Sequence, residues 1–194
     1  MPDAVFNLGI IYDTGHGVPV SVDDAVSWYR KAADLGHPHA QCNLGFMHMS
    51  GTGVEKSEKE ARRWYEQAAA EEFAEAQYNL GCMYLEGQGV DVDHKEAFQW
   101  FERASKQYFP YAQHQLALLY QKGLGVDQDH KEAFKHMERA AEAELISAQE
   151  EMAKYFEEGI GCEKNEKIAR KWQKRAARNR AKAPNDENAI AEKE

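Results

Sequence analysis

The sequence predicts an all-α solenoid of five helix–turn–helix units. Three observations lead there. A small residue recurs every 36 residues, at Gly9, Gly45, Gly81, Ala117 and Ala153. Each recurrence is followed by a pair of glycines and then by a helix-capping residue. Between these marks the apolar side chains keep the period of a helix rather than that of a strand. Units of this length stack on copies of themselves and touch only their neighbours. The units run over residues 3–36, 37–72, 73–108, 109–144 and 145–183.

Each unit opens with helix A. Ala4, Leu8, Gly9 and Tyr12 recur as Ala40, Leu44, Gly45 and His48, and as Ala76, Leu80, Gly81 and Tyr84. The fourth unit has Ala112, Leu116, Ala117 and Tyr120, and the fifth Ala148, Met152, Ala153 and Phe156. This spacing lays the side chains on one helical stripe, and the small residue lets a second helix come close. Pro2, Pro38 and Pro110 mark first turns, where a missing N–H costs nothing.

Helix A stops at Gly15 and Gly17, repeated down to Gly159 and Gly161, because glycine enters the left-handed conformation that ends helices. A phosphate loop would follow a strand, and this pair follows a helix in every unit. Ser21, Ser57, Asp93, Asp129 and Asn165 then read as N-caps of helix B. Asp24, Glu60, Glu96 and Glu132, three residues on, complete a capping box in the first four units. Helix B carries Ala25, Trp28, Tyr29, Ala32 and Ala33 and their counterparts, with the tryptophans expected to anchor the core rather than to form a ligand cage.

Among 194 residues, 43% are hydrophobic, enough for a sizeable core. The net charge of -9 is uneven: residues 1–162 hold 14 Lys and Arg against 27 Asp and Glu, and residues 163–183 hold nine against two. The acidic body disfavours nonspecific nucleic-acid binding by the array, since that binding is driven by phosphate neutralisation. The positives from Lys164 to Lys182 are read as circling the last helix, a solvated end cap that also suits the helix dipole. Residues 184–194 are polar and expected to be disordered. No apolar run suits a membrane span and no secretory leader is visible. Cys42, Cys82 and Cys162 form no pairing frame, so a reducing, cytoplasmic setting is expected. His94 and His130 repeat one position, and His37 and His39 flank Pro38 without further ligands at metal spacing. No metal, cofactor or catalytic residue is expected.

The run A-x-x-x-L-G-x-x-Y-x-x-G-x-G-V followed by A-x-x-W-Y-x-x-A-A resembles the Sel-one-like repeats, relatives of the tetratricopeptide repeat, across about residues 3–183. The resemblance implies a right-handed superhelix that scaffolds other proteins. It also implies a concave groove lined by the A-helix face opposite Leu8 and its equivalents. In the first unit that face offers Phe6, Asn7 and Ile10; in the second His39, Asn43, Phe46 and Met49. The third offers Tyr78, Asn79, Cys82 and Leu85, and the fourth Tyr111, His114 and Leu118. An apolar face of this kind suits a peptide or helix of a partner protein, and asparagines at its margin resemble those that hold peptide backbone in related repeats.

Two alternatives accompany this reading. One is a hydrolase, since some relatives are linked to β-lactams, although no Ser-x-x-Lys or Lys-Thr-Gly occurs. The other is that the basic last helix takes an acidic partner, lipid or nucleic acid. Val5 stands where every later unit has glutamine, so the N-terminal edge is expected to stack on another protomer or on further chain.

Overall fold

A computed structural model describes residues 1–182; the tail expected to be disordered lies outside them. Among the described residues there are ten helices and no strand, packed in series as an all-α solenoid of helix pairs. The helices fall into two compact units. The first, Met1–Gln107, holds α1 (Pro2–Thr14), α2 (Val22–Asp34), α3 (Pro38–Ser50), α4 (Glu58–Ala70), α5 (Ala74–Glu86) and α6 (His94–Lys106). The second, from Tyr108 on, holds α7 (Pro110–Lys122), α8 (His130–Glu142), α9 (Ile146–Glu158) and α10 (Glu166–Lys182).

Within each of the first three repeats, an aromatic ring of helix B lies on the bare backbone of helix A. A Cβ added to Gly9 would sit 2.5 Å from the Tyr29 ring, and one on Gly81 2.5 Å from the Phe101 ring; Gly45 stands in the same relation to Tyr65. Tyr29, Tyr65 and Phe101 are accordingly buried to 3% exposure or less. The expectation that tryptophan anchors the core holds only in part, since Trp64 and Trp100 pack on the edges of the clusters. Trp28, Trp64 and Trp100 are only half-buried, because the ring one residue later occupies the helix A contact. In the fourth repeat Ala117 takes the glycine position and Met137 the aromatic one, and both are buried in one cluster.

Between repeats, helix B receives the next helix A. Leu44 joins Ala25, Tyr29, Ala32 and Ala33, while Leu80 joins Ala61, Tyr65, Ala68 and Ala69. Each fully buried leucine is worth about 1.5–3 kcal/mol. Trp64 and Val54 close the first cluster from the following repeat, as Trp100 and Val90 close the second. Glutamine adds a polar clasp: Gln41 Nε2 donates to the Ala33 carbonyl at 3.2 Å and Gln149 Nε2 to the Ala141 carbonyl at 3.1 Å. Both carbonyls lie in the last turn of helix B, where each also accepts a turn N–H, from Gly36 and from Glu144.

The caps form as expected on one side only. Ser21 and Ser57 accept from the N–H groups of Asp24 and Glu60 at 3.3 Å, and Asp93 and Asp129 each accept from two N–H groups. Asn165 accepts from Ile168 at 3.1 Å. The return half of a capping box is replaced. The N–H of Ser21 donates to the Tyr12 carbonyl at 2.9 Å, and Ser57, Asp93 and Asp129 bond His48, Tyr84 and Tyr120 in the same way. This bond ties the start of helix B to the helix A before it. A feature invisible in the sequence closes helix B: Glu72, Tyr108 and Glu144 hold left-handed φ of 56°, 61° and 66° at the position that Gly36 fills in the first repeat. For a residue with a Cβ that conformation costs on the order of 1 kcal/mol.

The ring contact predicts a specific epistasis. Gly81→Ala is expected to destabilise the protein by about 1–3 kcal/mol through overpacking, seen as a lower urea midpoint. Adding Phe101→Met, the pairing used in the fourth repeat, should recover most of the loss. A single variant as stable as the wild type would dismiss the ring as the determinant.

Candidate partner-binding face

Helix A faces two ways, in the phase the sequence implies. Leu44 and Leu80 are sealed at 0% exposure, while Phe46, two residues from Leu44 on the same helix, is 64% exposed. In the first unit Ile10 is exposed at 36%, and Asn7 and His39 are also exposed. Phe6, Tyr78, Cys82 and Leu85 are half-buried. Met49 packs against the second core cluster, so part of its surface is already used. Cys42, on the same helical face, is buried.

The asparagines are engaged within the array. Asn79 Nδ2 donates to Cys42 Sγ at 3.5 Å, and Asn43 bonds the Tyr29 side chain, whose hydroxyl also donates to Asp13 Oδ2 at 3.1 Å. Burial pushes the Cys42 thiol up to about 12 and the Cys82 thiol up to about 11, so both are protonated at neutral pH.

Along the helix starts of this unit runs a chain of rings. Phe6 stacks on His37 with centroids 4.4 Å apart, His39 lies 5.7 Å from His37, and Phe73 meets His39 edge-on at 4.5 Å. Sequence reasoning passed over His37, which caps α3: its Nδ1 accepts the Ala40 N–H at 3.3 Å, and its Nε2 lies 3.3 Å from Asp3 Oδ1. The signal was its place directly before Pro38, since proline favours the first helical position and the residue ahead of it is then the cap. Burial holds the His37 pKa below the usual histidine value, His39 lowers it further, and Asp3 opposes both.

In the second unit Tyr111 is 51% exposed and lies 5.6 Å from Phe109, while Leu118 packs partly on the third cluster. His114 is half-buried with no hydrogen-bond partner for Nε2, and burial lowers its pKa against the pull of Glu151. Its neighbours on α9 at the equivalent positions are charged, Glu150 and Lys154. Among the described residues no group of three or more His, Cys, Asp or Glu could hold a metal ion, and no helix is long and apolar enough to cross a membrane.

The cations of α10 do not circle it. Arg180 pairs with Glu150 at 2.8 Å, Arg170 with Glu166 at 3.2 Å, and Arg175 lies over Trp172. Lys167, Lys171, Lys174, Arg178 and Lys182 make no ion pair among the described residues and are all exposed. Their spacing of three and four puts them on one outer stripe, opposite the buried Ala169 and Ala176.

The Sel1 repeat family model matches residues 2–37, 38–72, 74–109, 110–145 and 146–180. The chain belongs to the Sel1 repeat family. A Sel1 repeat protein from Oxalobacter formigenes is 36% identical, with a TM-score of 0.88 over 92% of this chain and 73% of that one. A protective antigen present in uropathogenic Escherichia coli strains, displaying an SLR fold, is 32% identical with a TM-score of 0.85 over 91% of this chain. This chain spans 38% of that antigen's length. Cysteine rich protein B of Helicobacter pylori, 21% identical over 66% of this chain and 95% of its own, shares the fold at a TM-score of 0.53. No curated protein sequence matches the chain. Sel1 repeat proteins are generally protein-interaction scaffolds, and their solenoid is typically non-enzymatic.

The His37 cap predicts a pH dependence. Its folded pKa lies below the unfolded value, so the fold disfavours the charged ring. The stability it contributes is complete above the unfolded value and is lost as pH falls through the depressed folded value, where a proton on Nδ1 displaces the Ala40 N–H. His37→Phe, the residue that opens α5 and α7, should flatten the fall of the urea midpoint between neutral and mildly acid pH. An unchanged slope would show that His37 does not govern it.

Proposed function

We propose that this Sel1 repeat protein is a noncatalytic adaptor that holds a peptide or helix of a partner protein along the solvent-facing side of its A helices, the side that the family resemblance assigns to a concave, partly apolar groove. The observation that carries the reading is Phe46, a large apolar side chain 64% exposed on a helix whose other face is sealed. Ile10 holds the same position on α1 at 36% exposure, and in the other unit Tyr111 is 51% exposed near the start of α7. Exposed apolar side chains that fill no packing role serve as anchors for spaced hydrophobic residues of an extended or helical ligand. Phe6, His39, Tyr78, Cys82, Leu85 and Leu118 form the half-buried or polar border. The asparagines, being bonded inside the array at Asn43 and Asn79, support that face rather than lead recognition. Three free, protonated thiols suit a reducing compartment, which in this reading is the cytoplasm. The N-terminal edge of α1 is a second place where protein can join.

Selection from a displayed peptide library tests the face. The wild type should enrich a consensus with regularly spaced apolar anchors, and Ile10→Ser combined with Phe46→Asp should abolish it while the helical circular dichroism stays intact. A consensus that survives both substitutions would reject this face.

A further inference from the structure

A buried hydroxyl lies without a partner at the seam between α3 and α5. Tyr29 and Tyr65 hold the same position in the first and second repeats. The Tyr29 hydroxyl is held twice, donating to Asp13 Oδ2 at 3.1 Å and bonded by Asn43. One repeat further on, those two places are Met49, which offers no oxygen, and Asn79, which donates to Cys42 Sγ instead. Tyr65 is 3% exposed, and its Cζ, the carbon that bears the hydroxyl, would lie 2.9 Å from a Cβ on Gly45. Among the described residues the hydroxyl makes no hydrogen bond. Burial pushes its pKa up, and Cys42, Glu75 and Cys82 add to the rise, so it stays a donor at neutral pH. A buried polar group is seldom left unpaired in a folded protein. The seam lies inside the first unit, with a helix pair on each side of it.

The charge around this hydroxyl has one sign. No lysine or arginine occurs on α1, α3 or α5, the A helices of the first unit. Their carboxylates, Asp3, Asp13, Glu75 and Glu86, are all exposed. Asp13, Glu75 and Glu86 pair with no cation among the described residues. Helix stability does not account for Glu86, which closes α5 where the helix dipole favours a cation. Helical phase puts Glu75 and Glu86 on the same side of α5 as Tyr78 and Cys82. The exposed Phe46 of α3 stands one residue from the glycine that Tyr65 covers.

We propose that the segment held on the solvent-facing side of α3 and α5 is basic as well as apolar: an apolar residue rests on Phe46, flanking lysines or arginines meet Glu75 and Glu86, and the Tyr65 hydroxyl donates to a backbone carbonyl of the segment. The inference rests on the adaptor reading and adds to it the charge of the partner. An acidic or neutral segment would leave both carboxylates unpaired, whereas a basic one is steered to this side by their field. The hydroxyl supplies what charge cannot, a fixed point for the main chain beside the apolar anchor.

Selection of a displayed random peptide library on the full chain tests the proposal, followed by titration of the synthesised consensus peptide. The wild-type consensus should set lysine or arginine beside its apolar anchors, and its affinity should fall with added salt. Glu75→Lys combined with Glu86→Lys should weaken that peptide about tenfold or more and flatten the salt dependence. Tyr65→Phe, which places at this position the residue that the third repeat carries, should weaken it about three- to tenfold while the urea midpoint holds. Tyr29→Phe, whose hydroxyl is already bonded, should leave peptide affinity unchanged. An apolar consensus flanked by acidic or uncharged residues would overturn this inference and leave the adaptor reading standing. Affinity indifferent to the double charge reversal or to Tyr65→Phe would overturn it equally. Absence of any apolar consensus would remove the adaptor reading and this inference with it.

Discussion

An aromatic ring laid on a bare, buried peptide backbone sets the helix spacing in the first three repeats. Tyr29, Tyr65 and Phe101 approach Gly9, Gly45 and Gly81 so closely that no side chain fits between, and the two helices of a repeat are held at that separation. Dispersion and burial favour the contact, but only glycine permits it. Where the fourth repeat has Ala117, the partner becomes the pliable Met137, and in the fifth Ala153 faces a helix carrying Gln173. The pair changes together because the two residues share one volume.

From that spacing follows the division of labour on helix A. One side presents leucine, alanine and glutamine to the preceding B helix, where apolar burial and a bond to an end-of-helix carbonyl act together. The other side is only partly packed, and at Ile10 and Phe46 it stands in solvent. Recognition can therefore vary on one side while the repeat stays constant on the other, which is the physical basis of scaffolding in such arrays.

Much of this was legible in the residues. The small-residue period, the double glycine and the cap residues carry their reasons locally, since backbone conformation and the capping of orphan N–H groups are decided within a few residues. Helical phase separated the sealed Leu44 and Leu80 from the exposed Phe46. What phase could not reveal was how deeply each side chain sinks: Cys42 and Phe46 lie on the same side of α3, yet one is buried beside Asn79 and the other stands clear. Tryptophan and tyrosine side by side in helix B were equally ambiguous, because one residue of rotation decides which ring meets the glycine.

The sequence by itself determined the five-fold helix-pair repeat, its family, and the phase that separates the packed from the outward face of each A helix, because periodicity and local backbone chemistry suffice for these. Only the tertiary structure decided that Tyr29, Tyr65 and Phe101 rather than the neighbouring tryptophans meet the glycines, that Gln41 and Gln149 clasp the preceding helix, and that Glu72, Tyr108 and Glu144 close helix B in the left-handed conformation. Those outcomes depend on which side chains from distant repeats compete for the same space and charge, and that competition exists only once the helices are packed.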